Sequence, residues 1–434
     1  MLSFFLKKIS FEYTIAKIDF AIQGISFYLK TSAVSNAFVA LILFMYLMTT
    51  IYSIGYMNFE KDKHKVRFHI FTFLSVLSCV GLAYSGNLIT AFIFYDLLSV
   101  FTYMLVRHHG DENSERHAFA YAMYLILPST LFLLPAIICV YFLVNHTNFL
   151  VGGILSPLPI SKTYINLLFF LFMYGISKTA LYPLHKWLIH AMVAPSPVSA
   201  LLHAVLVVKG GLFFLYKVIY ETFGLQFLQE NIYTFYGIYW PIYIACFGIV
   251  VAAISAMGSK NIKQRLAYST ISQIGYISMC LFCFTEEGII GAKMHFLSHS
   301  LAKILLFYYA GYLLARYHCY NVDELKLRRN HFNIFLSIMF IIPCLSLMSF
   351  PLTFGCIAKS MILKTTITSS AGFLIIPTIF IGTISCVIYL FPIVNHLVKF
   401  NNNRRFSGQP FSTATIYIPS FIISFLIVVL FFCK

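Results

Sequence analysis

Seven ionisable side chains sit inside long apolar stretches: Asp96 in NLITAFIFYDLLSVFTYMLV, Lys178 in LLFFLFMYGISKTALYPL, His203 and Lys209 in LLHAVLVVKGGLFFLY, His299 and Lys303 in HFLSHSLAKILLFYYAG, and Lys359 after FPLTFGCIA. A charged group at bilayer depth costs about 2.5–3.5 kcal/mol on insertion scales, so each is a functional candidate. His295, His299 and Lys303 recur at i, i+4 and i+8 and stack along one helical stripe. His203 and Lys209 are six residues apart in one span, which is not one clean helical face. Lys364 also follows the last run and reads as a side chain snorkelling to the interface. Carboxylate, imidazole and amine groups in such surroundings take up and give up protons, and a buried chain of them passes protons on through water-linked steps. No residue is assigned to bond-making catalysis.

Other chemistries lack their signatures. His295 and His299 lie in HFLSH, which has no glutamate after the first histidine and no third ligand, so no metal site is expected. Cys280 and Cys283 have CxxC spacing without a second pair and lie in an apolar segment, where packing accounts for them. There is no GxGxxG after a strand, no GxxxxGK and no His/Cys cluster, so no cofactor is expected and nucleotide, flavin or iron–sulfur chemistry must lie elsewhere.

The elements that position these groups follow from composition. Of 434 residues, 60% are hydrophobic and 10% charged, against about 45–50% and 25% in soluble domains, which excludes a cytosolic enzyme and a disordered tail. The chain is an integral membrane protein with lipid as its solvent. Lys and Arg outnumber Asp and Glu by 30 to 14. In a membrane chain this surplus reads as basic loops on one side, with no nucleic-acid partner. The start, MLSFFLKKIS, has no small-residue cleavage site and does not read as a cleaved signal peptide.

Apolar runs of spanning length fall at 33–57, 67–86, 88–106, 118–144, 166–184, 197–221, 236–257, 266–284, 289–315, 332–368, 371–396 and 413–433. The fold class is therefore all-α, with about twelve transmembrane helices. Alternate loops separate by charge. One side receives 60–67, 107–116, Lys186, 259–265, the 316–331 loop with Arg316, Lys326, Arg328 and Arg329, and Lys399 to Arg405; the other receives 145–165, 222–235 and Glu286–Glu287. The basic side is the cytoplasmic or matrix side.

The 332–368 run would be roughly 55 Å as one helix, too long for one straight crossing. It carries Pro343 and Pro351 and should break near Ser349–Pro351; a like interruption is expected where Pro183 follows Lys178. Interrupted helices at corresponding places point to an inverted repeat. Residues 67–221 hold five spans and 236–396 another five, and because five is odd the copies face oppositely. The fourth member of each is the broken one, carrying Lys178 or Lys359. This divides the chain into 1–66 (polar segment and first span), 67–221, 236–396 and a last span at 413–433.

SKTALYPLHKWLIHAMVAPSPVSALLHAVLVVKGG (177–211) closely resembles the central signature of the antiporter-like membrane subunits of NADH:quinone oxidoreductase (chains 2, 4 and 5, or N, M and L) and of the multisubunit sodium/proton antiporter A and D subunits. SGNLITAFIFYDLLSVFTYMLV (85–106), NIKQRLAYSTISQIGY (261–276), HFLSHSLAKILLFYYAG (295–311) and FPLTFGCIAKSMIL (350–363) resemble further segments of that family. The resemblance implies that Asp96 stands for the family's acidic partner, Lys178 for the lysine it modulates, Lys209 and His203 for the central relay, Lys303 and His299 for the second relay, and Lys359 for the exit lysine. It implies a proton-translocating subunit with no redox site of its own, partnered by other membrane subunits, in a bacterial or mitochondrial inner membrane.

Three departures stand out. The usual glutamate is the shorter Asp96, Ser360 follows Lys359 where an acid is often found, and the family's first two helices have no apolar counterpart in residues 1–30. Two other readings stay open at this level: a transporter exchanging sodium or potassium for protons, and a non-transporting scaffold subunit. On the first reading Asp96 and Lys178 form a switchable ion pair.

Overall fold

The computed structural model describes residues 13–19, 24–156, 158–327, 334–367, 371–398 and 413–433. It opens with an antiparallel hairpin, β1 (Tyr13–Asp19) and β2 (Ser26–Thr31). A first bundle follows: α1 (Ala33–Phe59), α2 (Lys65–Tyr84), α3 (Leu88–Val106), α4 (Glu112–Pro128) and α5 (Leu134–Val144), the last two joined by a π turn at Ser129–Leu133. Next come α6 (Lys162–Gly175), α7 (Trp187–His190), α8 (Ser196–Ala204), α9 (Val207–Lys217), α10 (Leu225–Asn231) and a two-residue hairpin, β3 (Thr234–Phe235) and β4 (Ile238–Tyr239). The remaining helices are α11 (Trp240–Gly258), α12 (Ile262–Leu281), α13 (Glu286–Tyr317), α14 (Glu324–Leu327), α15 (Ile334–Leu347), α16 (Phe354–Ile367), α17 (Gly372–Val398) and α18 (Thr413–Phe432).

The chain is thus mostly helical rather than all-α: part of the polar segment before the first span forms β1–β2, which alternation in YTIAKID allows. Among the described residues eight helices are long and apolar enough to cross a membrane, with a shorter apolar helix at Phe335–Leu347. α12 and α13 fall outside that set because their polar residues lower their hydropathy, and they are the helices that carry chemistry.

Burial sorts the helices. The apolar stretch Ser196–Phe223 is buried except at Tyr216 and Tyr220, and α13 is buried along most of its length. Leu127 and Leu131, Ile254, Phe380 and Ile384 face outward from α4 and its π turn, α11 and α17. Polar side chains inside and apolar ones outside are the arrangement a lipid solvent dictates.

Two small clasps have the same hydrogen-bond pattern. Asn87 caps α3, accepting from Thr90 N at 2.8 Å, and the turn it sits in exchanges Leu88 N→Thr147 O (3.0 Å) and Phe149 N→Gly86 O (3.0 Å) with the segment after α5. Asn261 caps α12, accepting from Gln264 N at 3.1 Å, and its turn exchanges Ile262 N→Tyr320 O (2.9 Å) and Val322 N→Lys260 O (3.1 Å) with the segment after α13. In both, an asparagine satisfies one of a helix's orphan N–H groups while the turn borrows a bridge partner from the loop two helices on.

The expected interruptions are present. α6 stops at Gly175, a 3₁₀ turn spans Ser177–Thr179 and Ala180 is left-handed at φ 51°. α15 stops at Leu347, and Ser349 and Leu352 take left-handed φ of 63° and 67° around Pro351 before α16 begins. A third interruption was not legible. The span with His203 and Lys209 is two helices, because Val205 and Leu206 leave helical geometry (φ −145° ψ −28°; φ −84° ψ −80°) with no glycine or proline at the break. The basic residues Arg328 and Arg329, and Lys399 to Arg405, lie outside the described residues, as do the polar residues 1–12.

Candidate functional site

Lys178 sits in the first break, fully buried. Its Nζ donates to Tyr95 O (2.7 Å) and Ser99 Oγ (2.6 Å) and lies 3.1 Å from the centroid of the Tyr95 ring. Tyr95 and Ser99 are four residues apart on α3 and so present one stripe to the lysine. The break can lie this close to α9 because Gly211 lacks a side chain: a Cβ there would stand 2.7 Å from Lys178 Cβ and 2.8 Å from its carbonyl carbon.

Asp96 is next to Tyr95 in sequence and therefore turned about 100° round α3. It is half-buried, and its Oδ1 accepts from Ser129 Oγ at 2.8 Å, at the π turn between α4 and α5. No ion pair joins Asp96 to Lys178 in this arrangement, although the two are close enough to interact electrostatically. The ion pair expected from sequence is not the state seen here, because the aspartate and the lysine's docking stripe occupy different faces of α3.

The other candidates gather around α13. Lys209, His203 and His299 are all fully buried, and Lys209 Nζ and both ring nitrogens of the two histidines have no hydrogen-bond partner among the described residues. Lys209 Nζ lies 4.6 Å from the centroid of Phe296, and the His203 ring is 4.7 Å from Phe307. His299 is within electrostatic reach of Lys209, Lys303, His295 and His203. Lys303 differs from these in being tethered, Nζ donating to Leu266 O (2.9 Å) and Ser269 Oγ (2.8 Å) of α12. Ser269 is bonded in turn to Tyr389 Oη at 2.8 Å.

Lys359 lies in α16, in the second turn after the second break, 5% exposed, its Nζ 4.1 Å from the Tyr276 ring centroid and without a hydrogen-bond partner among the described residues. His295, which the sequence could not place between interface and interior, is buried, with Nε2 3.0 Å from Gln273 Oε1, and it links Lys359 electrostatically to Lys209. Lys364 is exposed.

The candidates thus fall into two groups. Asp96 and Lys178 form one, and His203, Lys209, His299, Lys303 and Lys359 the other, with Gly211 packed on Lys178 where the groups meet. Uncommitted lone pairs and N–H groups in the second are what proton carriers require, since each must accept from one side and donate to another. Sequence reasoning passed over two buried partners at the far end of α9. Lys217 donates to Ser85 O and lies 3.7 Å from Glu221 Oε2, in the π turn Val218–Phe223. Their i, i+4 spacing was the available signal.

Residues 85–385 match the sequence model of the family described as NADH:quinone oxidoreductase/Mrp antiporter, TM. The chain is 30% identical over 340 residues to NADH-quinone oxidoreductase subunit M of Rickettsia prowazekii, covering 77% of this chain and 66% of that protein. It is 31% identical over 365 residues to subunit L of Buchnera aphidicola, covering 81% and 55%. Its fold resembles a chain of the Mrp complex from Dietzia with a TM-score of 0.75 at 20% identity, over 99% of this chain and 46% of that one. The chain spans about a third to two thirds of the length of the curated relatives it matches. The lysine and histidine helices, the two broken helices and the Asp96 helix all lie within the matched segment, and the chain belongs to the NADH:quinone oxidoreductase/Mrp antiporter transmembrane family.

Proposed function

We propose that this chain is a proton-translocating membrane subunit of a complex I-like NADH:quinone oxidoreductase or a multisubunit cation/proton antiporter. It works beside other membrane subunits in a bacterial or mitochondrial inner membrane, and in the antiporter case sodium or potassium is the exchanged cation. The path runs Asp96, Lys178, Lys209 and His203, His299 and Lys303, then Lys359. The observation that carries it is that a buried lysine accompanies each broken helix, Lys178 in the first break and Lys359 in the helix after the second, each ammonium over the ring of a tyrosine, Tyr95 of α3 or Tyr276 of α12. A buried ammonium held on a π face rather than by a carboxylate is stabilised without being neutralised, so it can still release its proton.

The same reading organises the fold. α1 and α18 flank two sets of five spans, 67–221 and 236–396, for twelve in all, with α6 and α15/α16 as the broken members. The matching clasps at Asn87 and Asn261 support equivalent positions in the two sets, and the odd number of spans between them supports inversion. A scaffold role is the second reading, favoured by Asp96 bonding to Ser129 rather than to Lys178, and by Ser360, which points outward and donates to Ile357 O.

The decisive experiment purifies the chain in mild detergent with its partners and measures proton movement in proteoliposomes. Flavin and iron–sulfur subunits identify the oxidoreductase, small hydrophobic partners alone the antiporter, and a complex that moves ions equally well with Lys178→Ala and Lys359→Ala supports only the scaffold. Single cysteines at 107–111 and 318–323 should label from the side opposite to those at 145–156.

A further inference from the structure

We propose that His117 and His190 together form the group that takes protons from the basic-loop face and delivers them to the Asp96–Lys178 region. The proposal rests on the reading that these residues carry protons. His117 Nδ1 lies 2.9 Å from His190 Nδ1, with the rings 5.1 Å apart, and both residues are half-buried. At that distance one nitrogen carries a hydrogen and the other a lone pair, so a proton already lies between the rings. His117 is in the second turn of α4, directly after the basic 107–111 connection, and His190 ends α7, which follows the Lys178 break.

Two lines of residues point inward, and water must carry the proton between their polar groups. His117, Tyr121, Leu125 and Ser129 recur every four residues on one face of α4 and its π turn, and Ser129 donates to Asp96. Tyr121 Oη donates to Thr102 Oγ1 (2.8 Å), which bonds back to the carbonyls of Leu98 (2.6 Å) and Ser99 (3.2 Å), one turn from the Ser99 Oγ that accepts from Lys178. From the other ring, Trp187, one turn before His190, donates through Nε1 to Ser177 O (3.0 Å), which fixes the segment between His190 and Lys178 without itself carrying a proton. The surrounding titratable groups are Tyr124, stacked on His190, Lys186 on the same segment and Arg116 on α4; Glu115 is engaged with Arg107, and Lys263 of α12 donates to Ala194 O.

The transfer balances. His117 and His190 each keep Nε2–H; His117 takes a proton on Nδ1 from the basic-loop face and passes it to His190 Nδ1, and rotation of the His190 ring about Cβ–Cγ carries that proton inward, where water takes it toward Asp96 and Lys178. One proton enters, one leaves, and the return rotation restores the starting arrangement.

The test uses proteoliposomes of the assembled complex. His190→Ala and His117→Ala should slow proton uptake by about tenfold or more, and imidazole in the buffer should restore most of that loss. His190→Gln, which keeps a hydrogen-bonding group without a transferable charge, should be slow with normal assembly. Lys178→Ala should be inactive with or without imidazole. Parent-like rates in both histidine variants, or losses that imidazole does not relieve in an assembled complex, overturn the uptake role while an inactive Lys178→Ala leaves the proposed function standing. Normal transport by Lys178→Ala overturns both.

Discussion

The two broken helices hold their lysines differently. Lys178 is bonded to Tyr95 O and Ser99 Oγ besides lying over the Tyr95 ring, whereas Lys359 lies over Tyr276 with no hydrogen bond to a described residue. Their counterpart helices differ as well. Asp96 and Thr270 stand at the same distance from the capping asparagines of α3 and α12, so where the first set has an acid the second has a hydroxyl that merely bonds back to Leu266 O. The helix packed on α12 supplies Lys303, tethered to Ser269, whereas the helix packed on α3 supplies Ser129, bonded to Asp96. One half therefore sets an acid near its broken-helix lysine without an ion pair between them, and the other has only amines and imidazoles around its own. Charge entering the second half meets like charge, which favours passing a proton on over storing it.

The largest effect expected of this difference is at the two lysines. Alanine at either position should cut proton movement by about a hundredfold or more, because a relay that loses a protonatable group has no substitute at that depth. Assembly should survive, since alanine is easier to insert than lysine. Lys364→Ala, by contrast, should transport normally in the same flux assay. Equal losses at Lys364 and Lys359 would show that the wrong lysine after the second break has been assigned.

Asp96 comes next. Asp96→Asn preserves shape and can still accept from Ser129, yet it takes away the acid that acts electrostatically on Lys178, and should slow transport strongly in an intact complex. Asp96→Glu adds a methylene toward Lys178 and should be active. If the asparagine variant transports normally, or the glutamate variant is as slow as the asparagine one, Asp96 has only the static role of bonding the π turn, and the asymmetry between the halves carries no mechanism.

How much of this was legible follows from what each feature depends on. The charged positions and the two breaks are local facts: a lysine in an apolar run and a proline in a span too long to be straight can be seen without knowing any neighbour. The break at Val205–Leu206 could not be seen, because both residues are ordinary in a helix and tertiary packing imposes their backbone. The separation of Asp96 from Lys178 was hidden for a related reason. Placing acid and amine on adjacent helices does not say which face each presents, and only docking of Lys178 on the Tyr95–Ser99 stripe fixes that. The hairpin β1–β2 was passed over because polarity excluded a span without suggesting a strand.

A packing change tests the same boundary from a different side. Gly211→Ala puts a Cβ 2.7 Å from Lys178 Cβ and 2.9 Å from Thr179 N, so α9 or the break must move. Overpacking of this kind costs about 1–3 kcal/mol. The prediction is a complex with lowered thermal stability and transport reduced but not lost. Gly210→Ala is the control, because its Cβ would meet nothing nearer than Leu82 Cδ2 at 3.4 Å and should be tolerated. Equal behaviour of the two variants would mean that the contact between the two groups of site residues is incidental.

The smallest effect separates the tethers themselves. Ser99→Ala and Ser269→Ala each remove one hydroxyl from a lysine, but each lysine keeps a backbone carbonyl, Tyr95 O for Lys178 and Leu266 O for Lys303. A hydrogen bond to a charged group contributes about 1.5–3 kcal/mol, and the remaining carbonyl and ring limit the loss, so each change should alter rates by no more than about tenfold. The sign should differ between the halves. Freeing Lys178 from Ser99 weakens the holding state of the first half and should ease forward release, raising flux at high driving force while leaving more leak at rest. Removing Ser269 takes a partner from Lys303 and from Tyr389 Oη together, leaving a buried hydroxyl to find another acceptor, and should lower flux under both conditions. Flux measured against imposed proton gradient for the two variants reads this directly: parallel curves would mean the two halves hold their lysines to the same end.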